Sequence, residues 1–241
     1  MTLKKYQEKR DFKKTTEPAG NEVPGKKKEA GIFVVQKHRA TNLHYDFRLE
    51  HKGVLLSWAV PKGPSTDPSV KRLAMHVEDH PLDYANFEGV IPEGEYGGGT
   101  VMVWDNGSWT PEVADIDKAL KGGDLKFTLQ GKKLRGSWVL VRTRGFGGSK
   151  ESWLLIKHRD EFASAEDITA ELPLSVLSGR LLADIAHDGG GDIKKAATGD
   201  PAGDYDKAKK ELAGKSGKST KSGPASAKKA KAKSKQAAKK K

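Results

Sequence analysis

Short apolar segments alternate with turn-forming residues from about residue 32 to residue 160, a pattern typical of antiparallel β structure. Eight strands are predicted, at residues 32–37, 43–50, 54–60, 72–77, 100–104, 125–129, 137–142 and 152–157. A sheet that closes on itself leaves no exposed edge strand, and this is a common solution for many short strands. The pattern therefore predicts a mainly β fold: a compact antiparallel β-barrel with a few short helices.

Other segments depart from the strand pattern. Residues 130–133 contain Gly131 between two predicted strands, which predicts a hairpin turn that uses the freedom of glycine to adopt positive φ. Residues 116–121 and 165–186 have helical spacing of apolar residues, although Pro173 lies near the start of the second. We therefore expect two helices after the first half of the barrel.

Charge divides the chain into two parts. Residues 207–241 contain 14 lysines and one acidic residue, whereas residues 1–206 contain 30 basic and 31 acidic residues. The tail consists largely of Ala, Lys, Ser and Gly, which cannot bury enough apolar surface to fold. We predict one domain at 1–188, comprising an extended arm (1–31), a barrel core (32–160) and a helical extension (161–188). A disordered basic tail is predicted for 189–241.

The composition also limits the class of protein. The chain has no cysteine, which excludes disulfides and thiolate metal ligands. Its first residues are polar and lack the apolar stretch of a secretory signal. The longest apolar run, 53–60, is too short to cross a bilayer. These features predict a soluble cytoplasmic protein with no membrane partner.

The predicted strand at 43–50 carries different chemistry on its two faces. Side chains alternate along a strand, so odd-numbered residues form an apolar face and even-numbered residues a polar face. The loop at 39–42 can fold this strand against the preceding one and bring His38 near His44. The polar face consists of His44, Asp46, Arg48 and Glu50.

Two imidazoles and one carboxylate suit Mn²⁺, Fe²⁺ or Zn²⁺. Three protein ligands would leave positions open for water or substrate, as a catalytic metal requires. The other interpretation is a solvated strand face with incidental histidines, because a His-x-Asp spacing is a weak motif. Lys62, Arg72 and His80 follow in the next segments, and beside a metal they would suit a phosphate ester. Each of them alone is an ordinary surface charge.

Several longer segments resemble one known family. The residues are 36–50 (QKHRATNLHYDFRLE), 58–64 (WAVPKGP), 76–84 (HVEDHPLDY) and 87–97 (FEGVIPEGEYG), together with 6–18. They resemble the 3′-phosphoesterase domain of bacterial DNA ligase D, and the likeness covers about residues 6–185. The resemblance implies a compact β-barrel that uses Mn²⁺ to remove a terminal 3′-ribonucleoside and then a 3′-phosphate from DNA during non-homologous end joining.

The resemblance also implies roles for individual residues, all of which match the family's residue types. His80 would either neutralise developing charge or act as a general acid. The implied metal ligands are His38, His44 and Asp46; the implied phosphate contacts are Arg48, Arg72, His80 and Tyr84; and the implied supporting residues are Arg10, Asp11, Glu17, Gln36 and Lys62.

No segment resembles a ligase or polymerase module, so we expect a separate DNA ligase or polymerase to complete repair. The expected partners are DNA 3′ ends, primer-templates and Ku, with the protein associated with the nucleoid. Two other functions remain open: a non-catalytic DNA-binding protein and a non-heme Fe(II) oxygenase, which uses the same ligand types. Nonspecific DNA binding is expected at Lys228, Lys229, Lys231, Lys233, Lys235, Lys239, Lys240 and Lys241.

Overall fold

The computed structural model describes residues 3–20, 30–143 and 152–202. Ten strands are present in these residues: β1 (Gly31–Arg39), β2 (Leu43–His51), β3 (Val54–Val60), β4 (Lys71–His76), β5 (His80–Pro81), β6 (Gly89–Ile91), β7 (Gly99–Pro111), β8 (Asp124–Gly131), β9 (Arg135–Arg142) and β10 (Ser152–Lys157). A 3₁₀ helix, Leu82–Asn86, joins β5 to β6.

Eight of these strands form a closed antiparallel barrel. The hydrogen-bonded order is β1-β2-β3-β4-β10-β9-β8-β7, and pairing of β7 with β1 closes the ring. The 13-residue strand β7 pairs with β1, β8 and β6, which is why it extends beyond its predicted bounds. The predicted mainly β fold and barrel are confirmed.

All eight predicted strands are present, and β3 and β10 have the predicted bounds. Strands β5 and β6 were not predicted, because two or three residues are too few to show a period. The hairpin between β8 and β9 is also confirmed. The expected positive φ at Gly131 is wrong, however; glycine is needed there because an added Cβ would lie 2.6 Å from the Asp105 carboxylate.

The helices agree only in part with the prediction. Helix α2, Ile116–Gly122, is present and begins after Asp115, whose carboxylate accepts a hydrogen bond from the Lys118 N–H. The single helix predicted at 165–186 is wrong. The chain instead forms α3 (Ile168–Glu171) and α4 (Leu182–Asp188), with irregular backbone between them. Pro173 lies in that connection, where it cannot continue a helix because its nitrogen carries no hydrogen.

The N-terminal segment also differs from the extended arm that was predicted. Helix α1, Lys4–Glu8, follows the buried Leu3, and the buried Tyr6 packs with the outer side of the barrel. The Tyr6 hydroxyl donates to the Pro18 carbonyl at 2.7 Å, which folds the segment back on itself. Residues 21–29 lie outside the described residues.

The folded chain continues beyond residue 188, where the domain was predicted to end. Helix α5, Ile193–Ala197, buries Ala196 against the barrel core. The Asp200 carboxylate accepts hydrogen bonds from the backbone N–H groups of Leu182 and Ala183 at the start of α4. These contacts place residues 189–202 within the folded unit. The disorder predicted for the tail, and its DNA-binding lysines, concern residues 203–241, which lie outside the described residues.

Apolar side chains form two clusters on opposite sides of the barrel wall. The larger one fills the interior and includes Phe33, Phe47, Trp58 and Trp104. The smaller one lies on the outer side of β1, β3 and β7, beneath α1 and the 3₁₀ helix, and consists of Tyr6, Val34, Leu55, Tyr84, Ala85, Phe87, Ile91, Val101 and Val103. None of the helices in the described residues is long and apolar enough to cross a membrane.

Candidate metal and phosphate site

The candidate site lies on the outer face of the barrel, between β1 and β2. Antiparallel register places His38 opposite His44 and Gln36 opposite Asp46, so these side chains share one face. This confirms the predicted approach of the two histidines, whose ring centroids are 4.8 Å apart. The face is not solvated, however, because Asp46 and Arg48 are buried.

Three side chains converge as a metal-binding group would. His38 Nδ1 and His44 Nε2 each lie 3.6 Å from Asp46 Oδ2. The second nitrogen of each ring contacts a backbone carbonyl: His38 Nε2 is 2.8 Å from the Gly97 oxygen, and His44 Nδ1 is 3.0 Å from the Asn42 oxygen. A carbonyl oxygen only accepts, so these second nitrogens carry the hydrogens in the neutral rings.

In its neutral form, which is the form that binds a metal, each imidazole would therefore direct a lone pair toward the same carboxylate oxygen. Two lone pairs and an anion facing one point suit a divalent cation, and ligating histidines usually donate their other N–H to a carbonyl or carboxylate. The potential ligand atoms lie within 4.8 Å of one another. The geometry thus favours a metal-binding group over incidental histidines.

The charges of this group depend on one another. Burial alone would raise the pKa of Asp46, but the Arg48 charge and the two nearby imidazoles hold it well below the usual range. Burial also acts to lower the pKa of His44, but Asp46 outweighs this effect and the pKa is raised. Asp46 is therefore ionised at neutral pH and is available as an anionic ligand.

Arg48 is held by a contact at each nitrogen of its guanidinium. Its Nη2 lies 3.3 Å from Asp46 Oδ2, its Nη1 donates to the Ser57 hydroxyl at 2.7 Å, and its Nε donates to the Gln36 side-chain oxygen at 2.8 Å. The Gln36 amide donates in turn to the Tyr84 and Phe87 carbonyls. With only 2% of its surface exposed, Arg48 is a fixed cation next to the metal-binding group.

His80 is buried beside Arg48. Its Nδ1 lies 2.9 Å from the Glu78 carbonyl oxygen, and its Nε2 lies 3.3 Å from Arg10 Nη2. A guanidinium only donates, so Nε2 accepts and Nδ1 carries the hydrogen. Burial and the charges of Arg48 and Arg10 hold the pKa of His80 well below its ordinary value. His80 is therefore neutral in this structure.

A buried carboxylate joins the N-terminal segment to this group. Glu17 Oε1 accepts from Arg10 Nε and from the Tyr84 hydroxyl, both at 2.9 Å, and Glu17 Oε2 accepts from the Thr15 hydroxyl. Burial and the Glu17 charge raise the pKa of Tyr84 well above its ordinary value, so its hydroxyl remains a donor. Arg10, Glu17, Tyr84 and His80, all implied by the resemblance, are thus brought together.

Residues 36–142 match the family model described as the DNA Ligase D 3′-phosphoesterase domain. This segment belongs to that family. The resemblance inferred from the sequence is confirmed.

Several known proteins are similar to this chain. The chain is 52% identical over 185 residues to the multifunctional non-homologous end joining protein LigD of Pseudomonas aeruginosa, covering 75% of this chain and 22% of that protein. It is 47% identical over 146 residues to the protein of that name from Mycobacterium bovis, covering 59% of this chain and 18% of that protein. The chain therefore spans about a fifth of the length of these relatives.

Three residues implied by the resemblance do not join the buried group of the phosphoesterase domain. Asp11 is exposed, and its carboxylate accepts from the Lys13 N–H in a local turn. Lys62 is exposed after β3 and has no hydrogen-bond partner among the described residues. Arg72 lies opposite Leu155 of the interior cluster, so strand alternation directs it away from the site. Its Nε is buried and has no hydrogen-bond partner in the part of the chain that the structure describes.

The sequence analysis missed other residues that shape the site. Ser57 is the one polar residue in β3, and this break in an apolar run was a detectable signal. Glu78 lies 3.5 Å from Arg10 and 3.0 Å from Lys9, contacts between distant segments that no local pattern indicates. The Gly97 carbonyl, which contacts His38, lies in a loop for which the sequence analysis named no site residue.

Proposed function

We propose that this phosphoesterase domain hydrolyses phosphoesters at the 3′ ends of DNA, removing a 3′-phosphate and a terminal 3′-ribonucleoside in non-homologous end joining. The observation that supports this proposal most directly is the position of Arg48, which contacts Asp46 at the point where two imidazole nitrogens converge. A site that combines a metal-binding group with a fixed guanidinium suits a phosphate ester. The relatives from Pseudomonas aeruginosa and Mycobacterium bovis are named as non-homologous end joining proteins.

We assign the metal to His38, His44 and Asp46 and propose Mn²⁺ as the cation. When bound, such an ion would polarise a phosphate oxygen as a Lewis acid. Arg48 and Arg10 would bind the phosphate oxygens and stabilise the negative charge that develops on them. Their fixed positions support this role, because Gln36, Ser57 and Glu17 already satisfy their remaining donors.

The contacts of His80 support neither of the two roles considered for it from the sequence. A general acid must carry a proton that it can donate to the leaving oxygen. His80 is neutral, its Nδ1 hydrogen faces the Glu78 carbonyl, and its Nε2 accepts from Arg10. We therefore assign His80 to orienting Arg10 toward the phosphate, and Tyr84 to holding Glu17.

The proposal is tested on primer-templates that end in a 3′-phosphate or in one 3′-ribonucleotide. The full chain is incubated with each substrate in Mn²⁺ or in EDTA, and the products are resolved by length and by end group. We expect conversion to a 3′-hydroxyl in Mn²⁺ and none in EDTA. Absence of conversion in Mn²⁺ by a protein with the expected β spectrum would contradict the proposed function.

The basic tail supports a second contribution to binding DNA. Residues 207–241 contain 14 lysines and no aromatic residue. The segment can therefore neutralise phosphates but cannot stack on bases. Deleting 207–241 should weaken DNA binding and flatten the slope of log affinity against log salt, roughly one unit for each lysine that makes contact. The rate at saturating DNA should not change. An unchanged salt slope after the deletion would mean that the folded domain supplies the DNA contacts.

A further inference from the structure

An exposed aromatic ring lies at the edge of the buried site. Tyr96 is 47% exposed, and the only other tyrosine, tryptophan or phenylalanine classed as exposed in the described residues is Phe162. The Tyr96 hydroxyl is 3.1 Å from Lys9 Nζ. Lys9 Nζ and the Arg10 guanidinium carbon lie 4.5 and 5.5 Å from the ring centroid. The ring is therefore solvent-accessible and lies close to two cations, Lys9 and Arg10, the second of which belongs to the site.

The loop that carries Tyr96 is tied directly to the metal-binding group. The next residue, Gly97, provides the carbonyl that contacts His38 Nε2 at 2.8 Å. Gly94 and Gly97 have φ values of +90° and +78°, which side chains larger than that of glycine rarely adopt. An added Cβ on Gly98 would lie 2.8 Å from the Pro92 carbonyl oxygen. These glycines let the loop make the tight turn that places the Tyr96 backbone beside the metal-binding group.

A second contact limits the motion of the ring itself. Lys9, which binds the Tyr96 hydroxyl, is also paired with the buried Glu78 at 3.0 Å. Lys14 of the same segment lies 3.4 Å from the Glu95 carboxylate. The N-terminal segment and the glycine-rich loop therefore hold Tyr96 between them. A ring that is ordered before substrate arrives loses little entropy on binding.

We propose that Tyr96 is a substrate-positioning residue whose ring stacks on the base of the terminal nucleotide. This inference rests on the proposed function. A phosphate bound by Arg48 and Arg10 is covalently attached to a nucleoside, which must extend from the buried polar group toward solvent, and Tyr96 flanks Arg10 on that side. Every base has a π-face, so the stack would accept any base and would distinguish base-containing ends from abasic ends.

The test compares two 3′-phosphate primer-templates, one with an ordinary terminal base and one with a tetrahydrofuran abasic residue in its place. For the native chain, loss of the base should lower kcat/KM about 5- to 150-fold, the range for one base–aromatic stack. Tyr96→Ala should lower kcat/KM by a similar factor on the base-containing end, mainly through KM, and should have little effect on the abasic end. Tyr96→Phe should retain most of the preference, whereas Tyr96→Leu should lose it.

Phe162→Ala is the matched control, because Phe162 has similar exposure and lies in the connection after β10. This variant should leave both substrates unaffected. An equal loss on both substrates in Tyr96→Ala, with an unchanged melting temperature, would overturn the stacking role. A native chain that processes neither substrate in Mn²⁺ would instead contradict the proposed function. The substrate comparison separates a local folding defect from a lost stack, since only the lost stack depends on the base.

Discussion

The two faces of β2 are both buried, but for opposite physical reasons. Phe47 and Leu49 face the barrel interior, where removal of apolar surface from water stabilises the fold. Asp46 and Arg48 face outward, where the N-terminal segment and the 3₁₀ helix cover them. Burial of these charges costs free energy unless each has partners. Burial of the inner face therefore increases the free energy of unfolding, whereas burial of the charges on the outer face lowers it.

The partners on the outer face show how this cost is limited. All three guanidinium nitrogens of Arg48 have contacts, and Glu17 accepts three hydrogen bonds. Each of these contacts also fixes a charged group in the position that phosphate binding would require. The comparison indicates that the outer face is organised before substrate binds, at the expense of stability. Substitutions on the two faces should therefore have different effects.

The largest functional effect is expected on the outer face. His44→Ala should abolish both Mn²⁺ binding and 3′-end processing, because it removes one of three ligands. The half-buried His44 contributes little to packing, so the unfolding free energy should change only slightly. Metal titration by calorimetry, the primer-template assay and urea unfolding together measure these effects. His38→Ala and Asp46→Ala should also abolish activity, and normal turnover in all three variants would contradict the assignment.

Phe47→Ala is the matched substitution on the inner face of the same strand. It should lower the unfolding free energy by about 3–5 kcal/mol, as truncation of a buried phenylalanine usually does. Molecules that remain folded should still bind Mn²⁺, because the three ligands are unchanged. If Phe47→Ala instead lost Mn²⁺ binding while its unfolding free energy stayed unchanged, the assignment of stability to the inner face and metal binding to the outer face would be wrong.

The next largest effect is expected at Arg48. Arg48→Ala should lower turnover at least ~100-fold, a typical loss when a contact to transition-state charge is removed. Mn²⁺ affinity should change much less, because Arg48 is not a ligand. Arg48→Lys should recover little activity, since an ammonium group cannot maintain the three directed contacts of a guanidinium. Loss of metal binding in a folded Arg48→Ala protein would place this residue in the metal-binding group instead.

The smallest effect is a dependence of stability on pH. Burial and two nearby arginines hold the pKa of folded His80 well below its unfolded value of about 6.5. As pH falls below 6.5 the unfolded chain takes up a proton that the folded chain does not, so stability present above that pH is lost. Urea unfolding from pH 7.5 to 5 measures the net dependence, to which the raised pKa of His44 contributes in the opposite direction, and His80→Gln should remove the His80 part of the decrease. His187→Gln makes the same substitution at an exposed histidine outside the site and serves as the matched control.

The sequence by itself determined the parts of the site that depend only on residues close together in the chain. Alternation along β2 separates Asp46 from Phe47, and the short loop at 39–42 leaves His38 and His44 facing each other. These relations need only a strand and a hairpin, so they are predictable before the barrel is known. The family motifs added the roles of distant residues such as Arg10 and Tyr84, but not their contacts.

Only the tertiary structure decided which strand faces point inward and what covers the outer one. Arg72 was expected beside the phosphate, but pairing of β4 with β10 turns it toward the interior cluster. The contacts of Arg10 with Glu78 and His80, and of Glu17 with Tyr84, join segments more than 60 residues apart. Such contacts depend on how the barrel closes and how the N-terminal segment packs on it, and no local period in the sequence carries that information.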